Sequence, residues 1–177
     1  EWRDDVTALI ATKLAVELAQ ASGHRLHILH LTSGIEADWL ENITVLPSKA
    51  TGKDAIITTE TLPQHLTFDE TDVAREGTRL QMNPPVRYKK DRETLWKQLK
   101  SGTVQCIATD HAPHTLEAKA LGFPKAPSGM PGVETSLAVM LTHANDGACS
   151  IEDVVRWMST NVANCYNMVG KGRLEEG

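Results

Sequence analysis

The sequence predicts an α/β protein built as part of a (β/α)8 barrel of the TIM type, roughly its second half. Three observations predict it. Segments of helical periodicity alternate with short, β-branched apolar runs, the order that βα units and a parallel sheet require. Four such runs make half of an eight-stranded barrel, and the 177 residues fall short of the about 250 that a complete one takes. Finally, residue types that bind metals stand at the ends of three of these runs, where such barrels carry their active sites.

Residues 4–22, DDVTALIATKLAVELAQAS, carry apolar side chains at Val6, Leu9, Ile10, Leu14 and Leu18, with Gly23 just beyond. This is the pattern of an amphipathic helix with a glycine stop. RLHILHL, 25–31, reads as a short strand, and Ser33-x-x-Glu36 has capping-box spacing, so a helix is expected from there. ITVLPSKATGK, 43–53, mixes β-branched residues with Pro and Gly and reads as a loop or helix end. DAIITTETLPQHL, 54–66, reads as a strand closing near residue 61, and RLQMNPPVR, 79–87, as a short strand stopped by its prolines. KKDRETLWKQLKSG follows as an exposed helix, and TVQCIATD, 103–110, as another strand. Residues 111–131 hold enough Pro and Gly for a long structured loop. Helices are expected at about 132–145, 151–159 and 160–168, the second opened by Ser150 and Asp153 at capping spacing.

Composition narrows the function classes. With 41% hydrophobic and 23% charged residues the chain is ordinary for a globular protein. A formal charge of −5 without Lys/Arg clusters argues against nucleic acid or an anionic membrane as partner. No apolar run reaches the roughly 18 residues of a membrane span. Cys106, Cys149 and Cys165 are odd in number and widely spaced, which fits reduced thiols in a cytoplasmic protein better than a disulfide framework. The chain begins at Glu1 rather than methionine and closes on KGRLEEG, a turn-like sequence that ordinarily leads into another element. It reads as a piece of a longer protein.

Among the seven histidines, His30 closes one strand and His65 follows another, while Asp110 closes a third. Neutral imidazoles and a carboxylate suit zinc or a similar divalent ion. Each residue alone has a plain structural reading, as a hydrogen-bonded histidine or an Asp that caps a turn. Their common position at strand ends carries more weight than any one of them. His24 and His27 share the strand of His30, and spacing does not choose among the three. His111, beside Asp110, reads as structural or supporting, and His143, in a helix, as structural. Asn83, in MNPPVR, is either an Asx-type turn or an amide that donates to and accepts from a ring amide. Arg87 is either an anchor for a carboxylate or a plain solvated arginine. SGMPG, 128–132, is either a plain loop or one that presents backbone groups to a ligand. Neither a phosphate-cradling loop, a dinucleotide fingerprint nor a serine-hydrolase elbow is present.

In order along the chain, LHILHLTSG, TTETLPQHL, MNPPVR, ATDHAPH and GMPGVETSLAVMLT together resemble the C-terminal half of the catalytic domain of dihydroorotases, cyclic amidohydrolases of the amidohydrolase superfamily. The resemblance covers nearly all of the chain, and MNPPVR followed by TDHAPH is its most specific part. It implies that His30 and His65 bind metal and that Asp110 binds metal and handles the catalytic proton. It further implies that Asn83 and His114 contact the substrate, with the loop around Ser128 and Gly129 closing over the ring. The cofactor implied is zinc, two divalent ions in the complete enzyme. The reaction implied is the reversible interconversion of N-carbamoyl-L-aspartate and (S)-dihydroorotate in pyrimidine synthesis, with a homo-oligomer as the candidate assembly.

Two departures stand out. Gln64 occupies a position where many relatives carry the first of two adjacent histidines. The family's His-x-His pair, its bridging lysine or aspartate and its small β domain are not in these residues. The chain is therefore read as residues 1–177 of the C-terminal part of a barrel domain, inactive and weakly metal-binding in isolation. Two other readings are an allantoinase or dihydropyrimidinase-like cyclic amidase, and an inactive homologue that serves as a structural partner.

Overall fold

A computed structural model of the chain describes residues 3–43 and 56–176. Its centre is a three-stranded sheet in the order β1 (Leu26–Ile28), β2 (Ile57–Thr61) and β3 (Cys106–Ile107). Both pairings are parallel, with Leu26 opposite Ile57 and Glu60 opposite Cys106. Parallel neighbours need long crossovers, and helices supply them. Between β1 and β2 runs α2 (Gly34–Leu40); between β2 and β3 run α3 (Pro63–Thr67), α4 (Glu70–Glu76) and α5 (Lys89–Ser101). After β3 come α6 (Leu116–Lys119), α7 (Ser136–Asn145), α8 (Ile151–Val155) and α9 (Asn161–Cys165). The first helix, α1 (Asp5–Ser22), precedes the sheet.

All five residues of β2 are buried, as expected of a parallel strand covered on both faces. Ile57 faces the helices and joins Leu31, Leu40, Leu95, Leu99 and Trp157 in the main core. Thr58 and Glu60 face the other way, where each hydrogen-bonds His27 of β1, at 2.7 and 3.0 Å.

The helix over 4–22 forms with Asp4 as N-cap, its side chain accepting from the Thr7 amide at 2.7 Å, and with Gly23 in the left-handed region at φ 68°. Its buried face differs from the one its apolar residues mark. Thr12, Val16 and Ala19 are buried, while Val6, Ile10, Leu14 and Leu18 are all more than half exposed. Small residues let α1 approach α2 and the sheet closely, and the larger stripe turns outward. Ser33 caps α2 as its spacing predicts, accepting from the Glu36 amide at 3.3 Å. Glu36 does not complete the box, because its carboxylate accepts instead from the Thr12 hydroxyl at 2.7 Å. The second capping site closes fully: Ser150 and Asp153 exchange backbone-to-side-chain bonds at 3.0 and 3.1 Å.

The expected strand over 79–87 is absent. Gly77–Leu80 form a 3-10 turn and residues 81–88 run irregularly, because Pro84 and Pro85 remove the amide donors a ladder needs. The sheet thus has three strands among the described residues where four were expected. Two short helices, α3 and α4, form where no helix was expected. Residues 151–165 make one continuous helical run through a π-helical turn at Arg156–Thr160, rather than two separate helices. Residues 44–53 of the segment 43–53 lie outside the described residues.

Candidate active site

The C-terminal ends of the three strands gather the predicted site residues on two walls. On the first, the chain leaves β1 through His30 at φ 37°, a conformation uncommon for a residue with a side chain. His65 lies one turn into α3, a helix opened by Pro63 at its start. It is 3% exposed, and its Nε2–H donates to the Pro84 carbonyl at 3.3 Å. That bond fixes the tautomer, since a carbonyl only accepts. Nδ1 therefore carries the lone pair, and it is buried without a partner. Burial pushes the His65 pKa down to about 3, with the positive charges of His30 and Arg87 adding to the effect. His65 thus stays neutral, with its basic nitrogen held in place.

His30, Pro84, Arg87, Glu36 and Thr12 line one cleft of about 370 Å³. Burial raises the Glu36 pKa, opposed by the Thr12 hydroxyl and by the nearby charges of Arg87 and His30. Arg87 does not stand free for a carboxylate: its Nε donates to Thr32 at 2.9 Å, and its outer nitrogens reach the carbonyls of Arg3 and Asp4 at 3.4 Å. Asn83 is exposed at the rim, immediately before Pro84.

The second wall follows β3. Asp110 is exposed at φ 44°, the second of the two strand ends that turn through the left-handed region at a candidate ligand. Such conformations cluster at functional sites. His111, read from the sequence as structural or supporting, accepts with Nδ1 from the amides of Gly132 and Val133, both at 3.1 Å. It therefore splices the strand end to the turn before α7. His114 is exposed and donates through Nε2 to the Ser128 carbonyl at 3.0 Å. The Ser128 hydroxyl is 3.5 Å from Gln81 Nε2. At φ 135° Gly129 has no room for a side chain, since a Cβ would sit 2.6 Å from the Ala112 carbonyl oxygen. His114 and Ser128 are thus in direct contact, with Gly129 packed tightly beside them.

One residue joins the walls. Gln64, beside His65, donates to the carbonyl of Thr109, beside Asp110, at 3.1 Å. The sequence marked Gln64 only as a departure; no local signal marks it as a tie between strand ends. His143 donates to Thr67 at 2.8 Å and meets the Trp96 ring edge-on at 5.2 Å. It supports α3 from behind, as its helical position suggested.

Whether these residues suit a divalent cation is tested by His65. A buried, neutral imidazole with an unpartnered Nδ1 and a second imidazole close enough to affect its charge have the donor chemistry of such a site. Among the described residues, no three His, Cys, Asp or Glu side chains converge into a cage; His30, His65 and Asp110 share an end of the sheet but do not close on a common point.

The Amidohydrolase family model matches residues 13–177. A dihydroorotase of Clostridioides difficile is 40% identical over 161 residues, covering 90% of this chain and 36% of that protein. An allantoinase of Streptomyces avermitilis is 34% identical over 168 residues, covering 94% of the chain and 36% of that protein. In three dimensions the chain superposes on an L-hydantoinase (dihydropyrimidinase) of Arthrobacter aurescens with a TM-score of 0.80 at 31% identity, over 92% of this chain and 36% of that one. On a dihydropyrimidinase of Brevibacillus agri the TM-score is 0.83 at 26% identity, over 98% and 38%. The chain thus spans little more than a third of the length of the relatives it matches, and its parallel βα units are part of their (β/α)8 barrel.

Proposed function

The chain belongs to the amidohydrolase family, and from that premise we propose that it forms the C-terminal part of the barrel domain of a metal-dependent cyclic amide hydrolase, a dihydroorotase. It would interconvert N-carbamoyl-L-aspartate and (S)-dihydroorotate. The observation that carries the reading is the buried, neutral His65 with its unpartnered Nδ1, which follows β2 at the sheet end where His30 follows β1 and Asp110 follows β3. Curated relatives named dihydroorotase at 34–40% identity support the choice of ring.

In this reading His30, His65 and Asp110 hold the cation, zinc in our proposal. A divalent cation, when bound, supplies Lewis acidity toward water and the ring carbonyl. The residues of the chain do the rest. His65, fixed by Pro84, offers its lone pair without protonation. Asp110, exposed beyond the end of β3, accepts the proton of the attacking water and delivers it to the departing ring nitrogen. Asn83 and His114 orient the ring, and the segment at Ser128 and Gly129 closes against it. In the synthetic direction Asp110 takes the ureido proton as the ring C–N bond forms and returns it to the carboxyl oxygen, which departs as water.

The second reading, a cyclic amidase acting on a neutral ring such as allantoin or a hydantoin, draws on one observation: Arg87 is already engaged by Thr32 and two carbonyls. A substrate carboxylate would then need an arginine outside these residues. The two readings separate on substrate. The full-length polypeptide, supplied with zinc, is assayed on dihydroorotate, allantoin and hydantoin. Preference for dihydroorotate is the expected result. Preference for either neutral ring replaces the first reading with the second, and inactivity on all three favours a homologue that serves as a structural partner.

A further inference from the structure

Lys119 ends α6 and is only 6% exposed. Its ammonium donates to three main-chain carbonyls, those of Gln81 at 2.7 Å and of Pro127 and Gly129 at 3.0 Å. Three donors meet three acceptors, which satisfies the group completely. Among the described residues no ion pair neutralises it, and burial lowers its pKa. Burying a cation against carbonyls alone is expensive, and an apolar side chain would fill the same space at less cost. What the ammonium adds is the orientation of the segment it grips.

That orientation is specific. Successive carbonyls of the loop point in alternating directions: Pro127 to Lys119, Ser128 to His114 at 3.0 Å, and Gly129 back to Lys119. The Gly129 amide donates to the Gln81 carbonyl that Lys119 also holds. A planar trans peptide aims its N–H opposite to its C=O, so the grip on the Pro127 carbonyl turns the Ser128 amide away from Lys119. No protein acceptor meets that amide among the described residues. The loop backbone and His114 are thereby set in one arrangement before any ligand arrives.

We propose that Lys119 is a positioning residue of the active site: through the carbonyls of Gln81, Pro127 and Gly129 it presets the Ser128–Gly129 segment and His114 for the ring substrate. The inference rests on the reading of that segment as the substrate contact. A preset surface removes an ordering cost from binding and leaves the proton transfers at Asp110 untouched.

The test is Lys119→Met in the full-length polypeptide with zinc, followed by steady-state kinetics on dihydroorotate and by amide hydrogen exchange. Lost uniform binding raises KM and spares kcat, so KM is expected to rise about tenfold with kcat within about threefold of the parent. Exchange at the Gly129 and Ala112 amides is expected to accelerate by about tenfold or more while the β2 amides keep their rates. Unchanged KM overturns the proposal, and so does a fall in kcat with exchange accelerated throughout the chain, which marks a merely structural lysine. Should Lys119→Met fail to fold, Lys119→Gln, which keeps two donors, is read by the same criteria. If the parent turns over no cyclic amide, the assigned function fails, and exchange alone decides: local acceleration sustains the positioning role and unchanged exchange ends it.

Discussion

The two walls of the site are ordered by opposite means. His65 is almost fully buried, next to a strand whose five residues are all buried, and its place is set by the core that Ile57 and Leu66 join. Asp110, His114 and Ser128 are exposed, and their place is set by hydrogen bonds and by close packing at Gly129. The difference fits the work that the proposed function gives each wall. A cation ligand needs a neutral lone pair that does not move, and burial supplies both properties. A proton carrier and a substrate loop need access to water and to the ring, so their order comes from directional bonds instead of burial.

The largest expected effect tests the roles directly. Asp110→Ala in the full-length polypeptide is expected to lower kcat by roughly 10²–10⁴-fold, the range of general acid–base contributions, with the thermal midpoint nearly unchanged because Asp110 is exposed. His143→Ala loses the Thr67 bond, worth about 1 kcal/mol of stability, and keeps its turnover. Equal losses of kcat in the two variants would break the assignment.

Next in size is the core beneath the histidine wall. Ile57→Ala empties a fully buried position and is expected to cost about 2–5 kcal/mol in urea unfolding, with divalent-metal affinity falling alongside. A change confined to KM would show that the two walls are not ordered separately. Smaller still, Gly129→Ala places a methyl 2.6 Å from the Ala112 oxygen at φ 135°. About 1–3 kcal/mol of strain is expected, read as a lower thermal midpoint and a raised KM with metal affinity kept.

The smallest effect lies outside both walls and serves as their control. The backbone bond from Ser150 holds the Asp153 carboxyl below its ordinary value of 3.8. A lowered carboxylate stabilises the fold above the unfolded value, and that contribution is lost as pH falls through the lowered one. Acid unfolding should therefore steepen below about pH 3.8, and Asp153→Asn should remove that part of the slope while leaving metal affinity and KM alone.

Much of the architecture was legible in local sequence. The helix over 4–22, the cap at Ser33, the full capping box at Ser150 and the strand end near residue 61 all formed where short-range chemistry placed them. RLQMNPPVR misled because its apolar residues look strand-like, yet two prolines deny it a ladder. For the site, the position of His30, His65 and Asp110 after three successive strands could be read from the chain, as could the supporting place of His111 and His143. Lys119 and Gln64 could not. Their partners lie 8 to 45 residues away and are backbone carbonyls, which no side-chain pattern encodes.

What the sequence determined by itself was the α/β class, the capped helix starts and the chemical kinds of residue at the strand ends, because periodicity, capping and turn formation act over a few residues. Tertiary structure decided which face of α1 is buried, turning Val6, Ile10, Leu14 and Leu18 outward although all four are large and apolar. It also decided that His65 is neutral with its Nδ1 free and that Lys119 holds the loop. Each of these depends on which groups distant in sequence exclude water from one another, and that exclusion exists only once the chain has folded.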